Sequence, residues 1–183
     1  IEDVANDLNI WQATLGLLND SERIPHIIAQ GESDKLEFKS TLSLDINLQT
    51  KEKYIETSVL KTIVGFLNSR GGTLLIGVSD DGTISGLSEE LKKFHKDKPD
   101  HLLKHFLNII KARIGADFYE FISYKAIKIK GKTIIEVSTK AIKHGNGCFL
   151  DGEDFIVRQN PGNVVLKGEK LVKYCKDHFA SRR

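Results

Sequence analysis

The chain has 183 residues, 40% of them hydrophobic, with 27 Lys and Arg against 25 Asp and Glu and two cysteines, Cys148 and Cys175. That size reads as one domain with a core of its own and an appended arm, by a soft prior of about 100–200 residues per domain. Two cysteines exclude a disulfide framework and a cysteine zinc cluster, and no run approaches the roughly 20 apolar residues of a bilayer span. No secretory leader is read, so a reducing, cytoplasmic setting without membrane contact is expected. A chain that opens on Ile1 and lacks Met altogether is expected to be a piece of a longer protein, its other domains preceding it.

The net charge of +2 conceals an asymmetry. Residues 1–90 hold 7 basic and 15 acidic side chains, and residues 91–183 hold 20 and 10. A basic half is an electrostatic footprint for polyanions, and lysines that merely solvate helices and strands give the same count.

Val4, Leu8, Trp11, Leu15 and Leu18 recur at helical steps, and Asn19-Asp20-Ser21 with Pro25 breaks the pattern. Residues 1–28 are therefore expected to form a helical arm or linker, and 29–183 the domain proper. Lys35 to Lys39 alternates as a half-buried strand, with Leu36 and Phe38 inward and Glu37 and Lys39 together on the other face. Leu42 to Lys53 reads as a loop. Ile55, Val59, Ile63, Phe66 and Leu67 mark a helix closed by Arg70-Gly71-Gly72. Thr73 to Val78 has the continuous apolar character of a central strand, and Asp81-Gly82 turns it back as a hairpin. A charged loop is expected around Lys92 to Pro99. A second helix over 102–114, strands at 122–129 and 132–137, short strands at Phe149 and Phe155 to Val157, and a last helix from about Glu169 to Phe179 with Leu171, Val172 and Cys175 inward complete the order. The pattern predicts an α/β or α+β domain, a mixed sheet flanked by helices, without internal repeats.

Phosphate-loop, nucleophile-elbow and H-E-x-x-H motifs are absent, and the Gly71-Gly72 pair follows a helix instead of preceding one, which excludes the usual nucleotide cradles. His101 and His105 stand at i,i+4 spacing without a third nearby ligand, so a solvated helix face outweighs a metal site. One constellation carries chemistry: Glu32 before the first strand, Glu37 and Lys39 on one strand face, and Asp80 at the end of the central strand. Carboxylates at strand ends beside a lysine suit a divalent cation that orients water on a phosphodiester, with the lysine stabilising developing charge. Glu and Lys on an exposed strand face, and Asp in a turn, are also commonplace.

The runs Gly31-Glu32-Ser33-Asp34-Lys35-Leu36-Glu37-Phe38-Lys39-Ser40-Thr41, Leu60 to Ser69, and Gly71 to Gly82 resemble the AlbA-like domain of the Schlafen family. Phe155-Ile156-Val157-Arg158 with Asn160 is similar to that family's late strand and its arginine. The resemblance covers about residues 29–179, in order, and is strongest to the bacterial form found at the C-terminal end of larger proteins. It implies a nucleic-acid-interacting lobe. Some relatives are metal-dependent endoribonucleases acting on structured RNA such as tRNA, and others are linked to defence against phage. By that resemblance Glu32, Glu37, Lys39 and Asp80 are the expected catalytic set, with Glu32, Glu37 and Asp80 holding Mg²⁺ or Mn²⁺. The sequence departs from the family pattern at Asn160-Pro161-Gly162-Asn163, where Pro161 removes a backbone donor. Eukaryotic relatives join two lobes, so a single lobe implies a homodimer or help from the missing domains.

The expected function is thus nucleic-acid binding, RNA over DNA, with endonucleolytic cleavage as its enzymatic form. Arg70, Lys92, Lys93, Lys125, Lys128, Lys130 and Arg158 are the expected contacts to the nucleic acid. Two alternatives stand beside it: a non-catalytic DNA- or RNA-binding regulatory module, and an oligomerisation domain using the 3–19 helix.

Overall fold

Asn19 has the short polar side chain that a helix start requires, and Glu22 follows at the position that completes a capping box. The computed structural model, which describes residues 19–143, 145–159 and 162–179, shows that box in place. The Asn19 side chain accepts from the Glu22 amide at 3.1 Å, and the Glu22 carboxylate accepts from the Asn19 amide at 3.2 Å. It opens α1 (Asp20–Ala29), which runs through Pro25. Pro25 removes one helical donor, but its ring faces solvent and the cap offsets part of that loss.

β1 (Leu36–Lys39) follows, then a two-stranded ribbon of β2 (Leu44–Asp45) and β3 (Thr50–Lys51), then α2 (Lys53–Asn68) and β4 (Gly72–Ile76). The turn from α2 into β4 needs a glycine. Gly71 has φ +73°, and a Cβ there would lie 2.5 Å from the Thr139 carbonyl oxygen. α3 (Ser88–Phe94) and α4 (Pro99–Arg113) precede a 3₁₀ turn at Ala116–Phe121 and the hairpin of β5 (Ile122–Ile129) and β6 (Lys132–Thr139). Lys130 and Gly131 both have positive φ, as a two-residue hairpin turn demands. β7 (Phe149–Leu150), β8 (Asp154–Gln159), β9 (Gly162–Leu166) and α5 (Gly168–Phe179) finish the described chain.

The main sheet has the order β1-β4-β6-β5, with β1 parallel to β4 and the other pairs antiparallel. β1 therefore leaves one edge unpaired within this sheet. On one face Ile24 of α1 is fully buried against Leu36, Phe38, Leu75, Val78, Ile127, Ile129 and Ile134. The larger core lies on the other face, where α2 supplies Val59, Leu60, Ile63, Phe66 and Leu67, and packs against β8 through Phe155, Ile156 and Val157. This is the expected mixed-sheet α+β class. No described helix is long and apolar enough to cross a membrane.

Four readings of local structure are corrected below. Residues 20–29 dock on the sheet, where Ile24 fills its face and Arg23 pairs with Glu136 of β6. The boundary expected after residue 28 thus falls inside a docked element, while the expected 3–19 helix lies outside the described residues apart from its last position, Asn19. The loop expected around Lys92 begins as α3. Seven residues are too few to display a helical period, and α3 is held by Glu90, whose carboxylate accepts from the Leu42 amide, the Ser43 amide and the Ser43 hydroxyl at 2.9, 2.7 and 2.6 Å. The segment read as a loop from Leu42 carries the β2–β3 ribbon, and β9 extends the C-terminal sheet to three strands. Val172 of α5 is 53% exposed, whereas Leu171 and Cys175 do pack on the core.

Candidate nucleic-acid interface

Alternation along β1 sends Leu36 and Phe38 to the α1 face and Glu37 and Lys39 to the face that α2 and β8 share. Glu37 is buried there and its carboxylate is divided between two cations. Lys39 Nζ donates to Oε1 at 2.5 Å, and Arg158 Nη2 donates to Oε2 at 2.7 Å. Arg158 reaches it from the middle of the C-terminal sheet, with only 1% of its side chain exposed. The same Nη2 donates to the Ser33 carbonyl at 2.7 Å, and Nη1 donates to Asn163 Oδ1 at 3.2 Å. The guanidinium carbon lies 5.1 Å from the centre of the Phe66 ring, which accommodates a planar cation face-on. Asn163 is fixed in turn by donating to Thr62 Oγ1 at 3.2 Å, and the Arg158 amide donates to Ser69 Oγ at 2.8 Å. Early strand, long helix and late hairpin are tied at one ionic knot.

Glu32 is exposed and lies along the free edge of β1, where Oε1 accepts from the Phe38 amide at 2.9 Å. Glu32, Glu37 and Lys39 therefore gather at one edge. Asp80 is exposed in the turn that follows β4, and just before that turn the Gly77 and Val78 amides donate to the Lys39 carbonyl at 2.7 and 3.2 Å. Among the described residues no three His, Cys, Asp or Glu side chains converge to hold a metal ion. As arranged here, both Glu37 oxygens serve ammonium and guanidinium donors.

The expected cationic contacts separate into three groups. Arg158 is committed to Glu37 and almost wholly enclosed. Lys125 is occupied by Asp20 at 2.9 Å, with Glu136 3.8 Å away, and Lys93 donates to the Gln49 carbonyl at 3.2 Å. Arg70 is 78% exposed beside Asp34, 3.7 Å distant. Lys92 and Lys128 line one groove of about 560 Å³ between α3 and β5, and Lys130 stands at the adjoining hairpin turn. None of these last three has an ion-pair partner among the described residues.

Sequence reasoning missed a second cluster. His105 Nε2 lies 2.8 Å from Glu56 Oε1 and 3.0 Å from Lys51 Nζ, and its ring centre is 5.5 Å from that of His95. Burial raises the Glu56 carboxyl, but the hydrogen bond and charge of His105 with the charge of Lys51 outweigh it and leave the group below its ordinary value. His95 is buried, with Nε2 unpartnered, and is pushed down to about 4 by that burial and then by the positive fields of His105, Lys51 and His101. The i,i+4 spacing of His101 and His105 gave no signal of this, because His95 and Glu56 arrive from other elements.

These features define a small α+β domain with an ionic knot at the free edge of its sheet and an unpaired basic patch around one hairpin. A family model described as Schlafen, AlbA_2 matches residues 32–167, and the chain belongs to that family. The crystal structure of the DIP2311 protein from Corynebacterium diphtheriae is similar in fold, with a TM-score of 0.53 at 14% identity, covering 95% of this chain and 29% of that one. The chain thus spans less than a third of that protein's length. The solution structure of the N-terminal domain of a RecG-related protein from Nitrosomonas europaea shows 15% identity and a TM-score of 0.46, covering 83% of this chain and 91% of that one. No curated protein matches the chain.

Proposed function

We propose that this domain binds nucleic acid, RNA in preference to DNA, as a module of a larger protein, and that phosphate contacts supply most of its affinity. The observation that carries this is the patch of Lys92, Lys128 and Lys130 around the β5–β6 turn, free of internal acidic partners among the described residues, on a chain of the Schlafen AlbA_2 family. Lysines that have no carboxylate to satisfy release counterions when they meet phosphates, so binding weakens steeply with salt. In a gel-shift or anisotropy titration against tRNA, replacing Lys92, Lys128 and Lys130 together by Ala is expected to lower the log–log salt slope by about 2 to 3 units, at roughly 0.7 to 0.9 per phosphate contact. An unchanged slope refutes the assignment of this patch.

Cleavage of a phosphodiester is a second reading, favoured by one observation: Glu37 pairs with Lys39 on β1, and Glu32 lies along the free edge of the same strand. It is tested on end-labelled tRNA with Mn²⁺ or EDTA, using Glu32→Gln and Asp80→Asn, which alter exposed groups. Metal-dependent products that vanish in both variants establish a nuclease. Intact RNA with a retained salt-sensitive shift leaves the binding module.

A further inference from the structure

A cavity of about 690 Å³ opens where α5 closes over the end of α2 and the late strand β8, and Ser69, Arg70, Arg158, Tyr174 and His178 contribute to its wall. α5 lies beyond the residues that the family model matches. Tyr174 and His178 are one helical turn apart, and their rings stack in parallel, with centres 3.8 Å apart and planes 9° from coincidence. The lower ring is immobilised. Tyr174 donates to the Asn68 carbonyl at 2.7 Å, Asn68 is itself buried with three hydrogen bonds to Cys148 and Ile156, and Phe155 and Phe179 meet the tyrosine edge-on. The upper ring, His178, is exposed.

Arg70 shares this wall with Asp34 and with Arg158, whose charge is paired with Glu37. Among the described residues Arg70 is held only by Asp34, 3.7 Å away, a contact that solvent screens. Arg158 is buried, and its Nε is the one guanidinium nitrogen without an acceptor among the described residues. A rigid aromatic platform beside an exposed guanidinium, in a cavity of a size that holds small ligands, is the arrangement that receives one unstacked base and its phosphate.

We propose that this cavity takes a single nucleotide unit of the bound strand, its base stacked on His178 and its phosphate facing Arg70. This rests on the nucleic-acid reading above and adds a second contact site, distinct from the lysine patch. The test uses the whole chain, with a short single-stranded oligoadenylate followed by anisotropy and adenosine 5′-monophosphate followed by NMR. His178→Ala and Arg70→Ala are each expected to weaken oligoadenylate binding roughly tenfold, within the range found for loss of one stacked base, and His178→Phe to restore it. In the unmodified chain, adenosine 5′-monophosphate is expected to shift the His178 ring protons upfield while ribose 5-phosphate does not, a signature that a purely structural stack would not give. Oligoadenylate binding that both alanine variants retain in full, or ring protons that do not respond, overturns the cavity and leaves the lysine patch standing. A chain that binds neither oligoadenylate nor tRNA overturns both.

Discussion

Glu37 and Arg158 are separated by 121 residues in sequence and joined by a 2.7 Å contact, so replacing either should register as a loss of fold before any loss of activity. The arginine side chain is 1% exposed and the glutamate side chain 12%. Removing one partner of such a pair leaves a buried charge, at a cost of about 3 to 5 kcal/mol. For Glu37→Ala the lower end applies, because Arg158 keeps the Ser33 carbonyl and Asn163 Oδ1. For Arg158→Met the cost is smaller, about 2 kcal/mol, since Glu37 retains Lys39 on its more exposed side. The double variant Glu37→Ala with Arg158→Met removes both charges and is expected to fall short of the sum of the singles by about 1 to 3 kcal/mol. Urea unfolding at neutral pH measures all four corners of the cycle. Single variants each within about 0.5 kcal/mol of the parent, or a double that is simply additive, refute the ionic knot as a structural element. The same reasoning makes Glu37→Ala an unsafe probe of catalysis, because lost cleavage and lost folding would coincide.

Two further outcomes follow from packed groups away from the knot. His95 titrates near 4 when folded against an ordinary 6.5, so the unfolded chain takes up the proton first as pH falls below 6.5. Its contribution, present above pH 6.5, is lost by about pH 4 and amounts to roughly 3 kcal/mol, from 1.36 kcal/mol per pKa unit. Unfolding at pH 7.5 and 4.5 should therefore show a steeper acid loss for the parent than for His95→Gln, with His105, His101, Lys51 and Glu56 common to both; equal losses refute it. Ile24→Ala is expected to cost about 3 kcal/mol in urea unfolding, as for a fully buried aliphatic side chain, whereas a change below about 0.5 kcal/mol would return α1 to the status of an arm.

The elements legible in the sequence were those with long periods or uniform burial. α2, α4 and the β5–β6 hairpin show their apolar repeat over 8 or more residues, and β4 shows the unbroken apolar run of a strand covered on both faces. α1 was missed because its identity lies in a cap and a single buried isoleucine, with a proline in its middle. α3 was missed because a glutamate, not an apolar stripe, holds it to the chain after β1. At the site, Glu37 and Lys39 were legible as neighbours because strand alternation is local. The convergence of Glu37 with Arg158 depends on how two sheets pack, which spacing along the chain does not encode.

The charge asymmetry shows the same separation between count and geometry. Acidic side chains of the first half meet basic ones of the second at Asp20–Lys125, Glu37–Arg158 and Glu56–His105. Among the described residues, Arg23 with Glu136 runs the other way. The raw count of basic side chains in the second half therefore overstates, by Lys125 and Arg158, what a polyanion meets. What remains for an external partner are the cations without such a counterpart. Those expected from the sequence reduce to Lys92, Lys128 and Lys130 on one side, with Arg70, loosely paired to Asp34, beside the Tyr174–His178 stack on the other. Arg70 borders the start of β4 and the hairpin borders its far end, with Gly72 paired to Thr139 and Ile76 to Ile135 in the antiparallel register of β4 and β6. A strand that engaged both would have to run the length of the sheet, which makes simultaneous loss of affinity from either end the mark of a single continuous ligand.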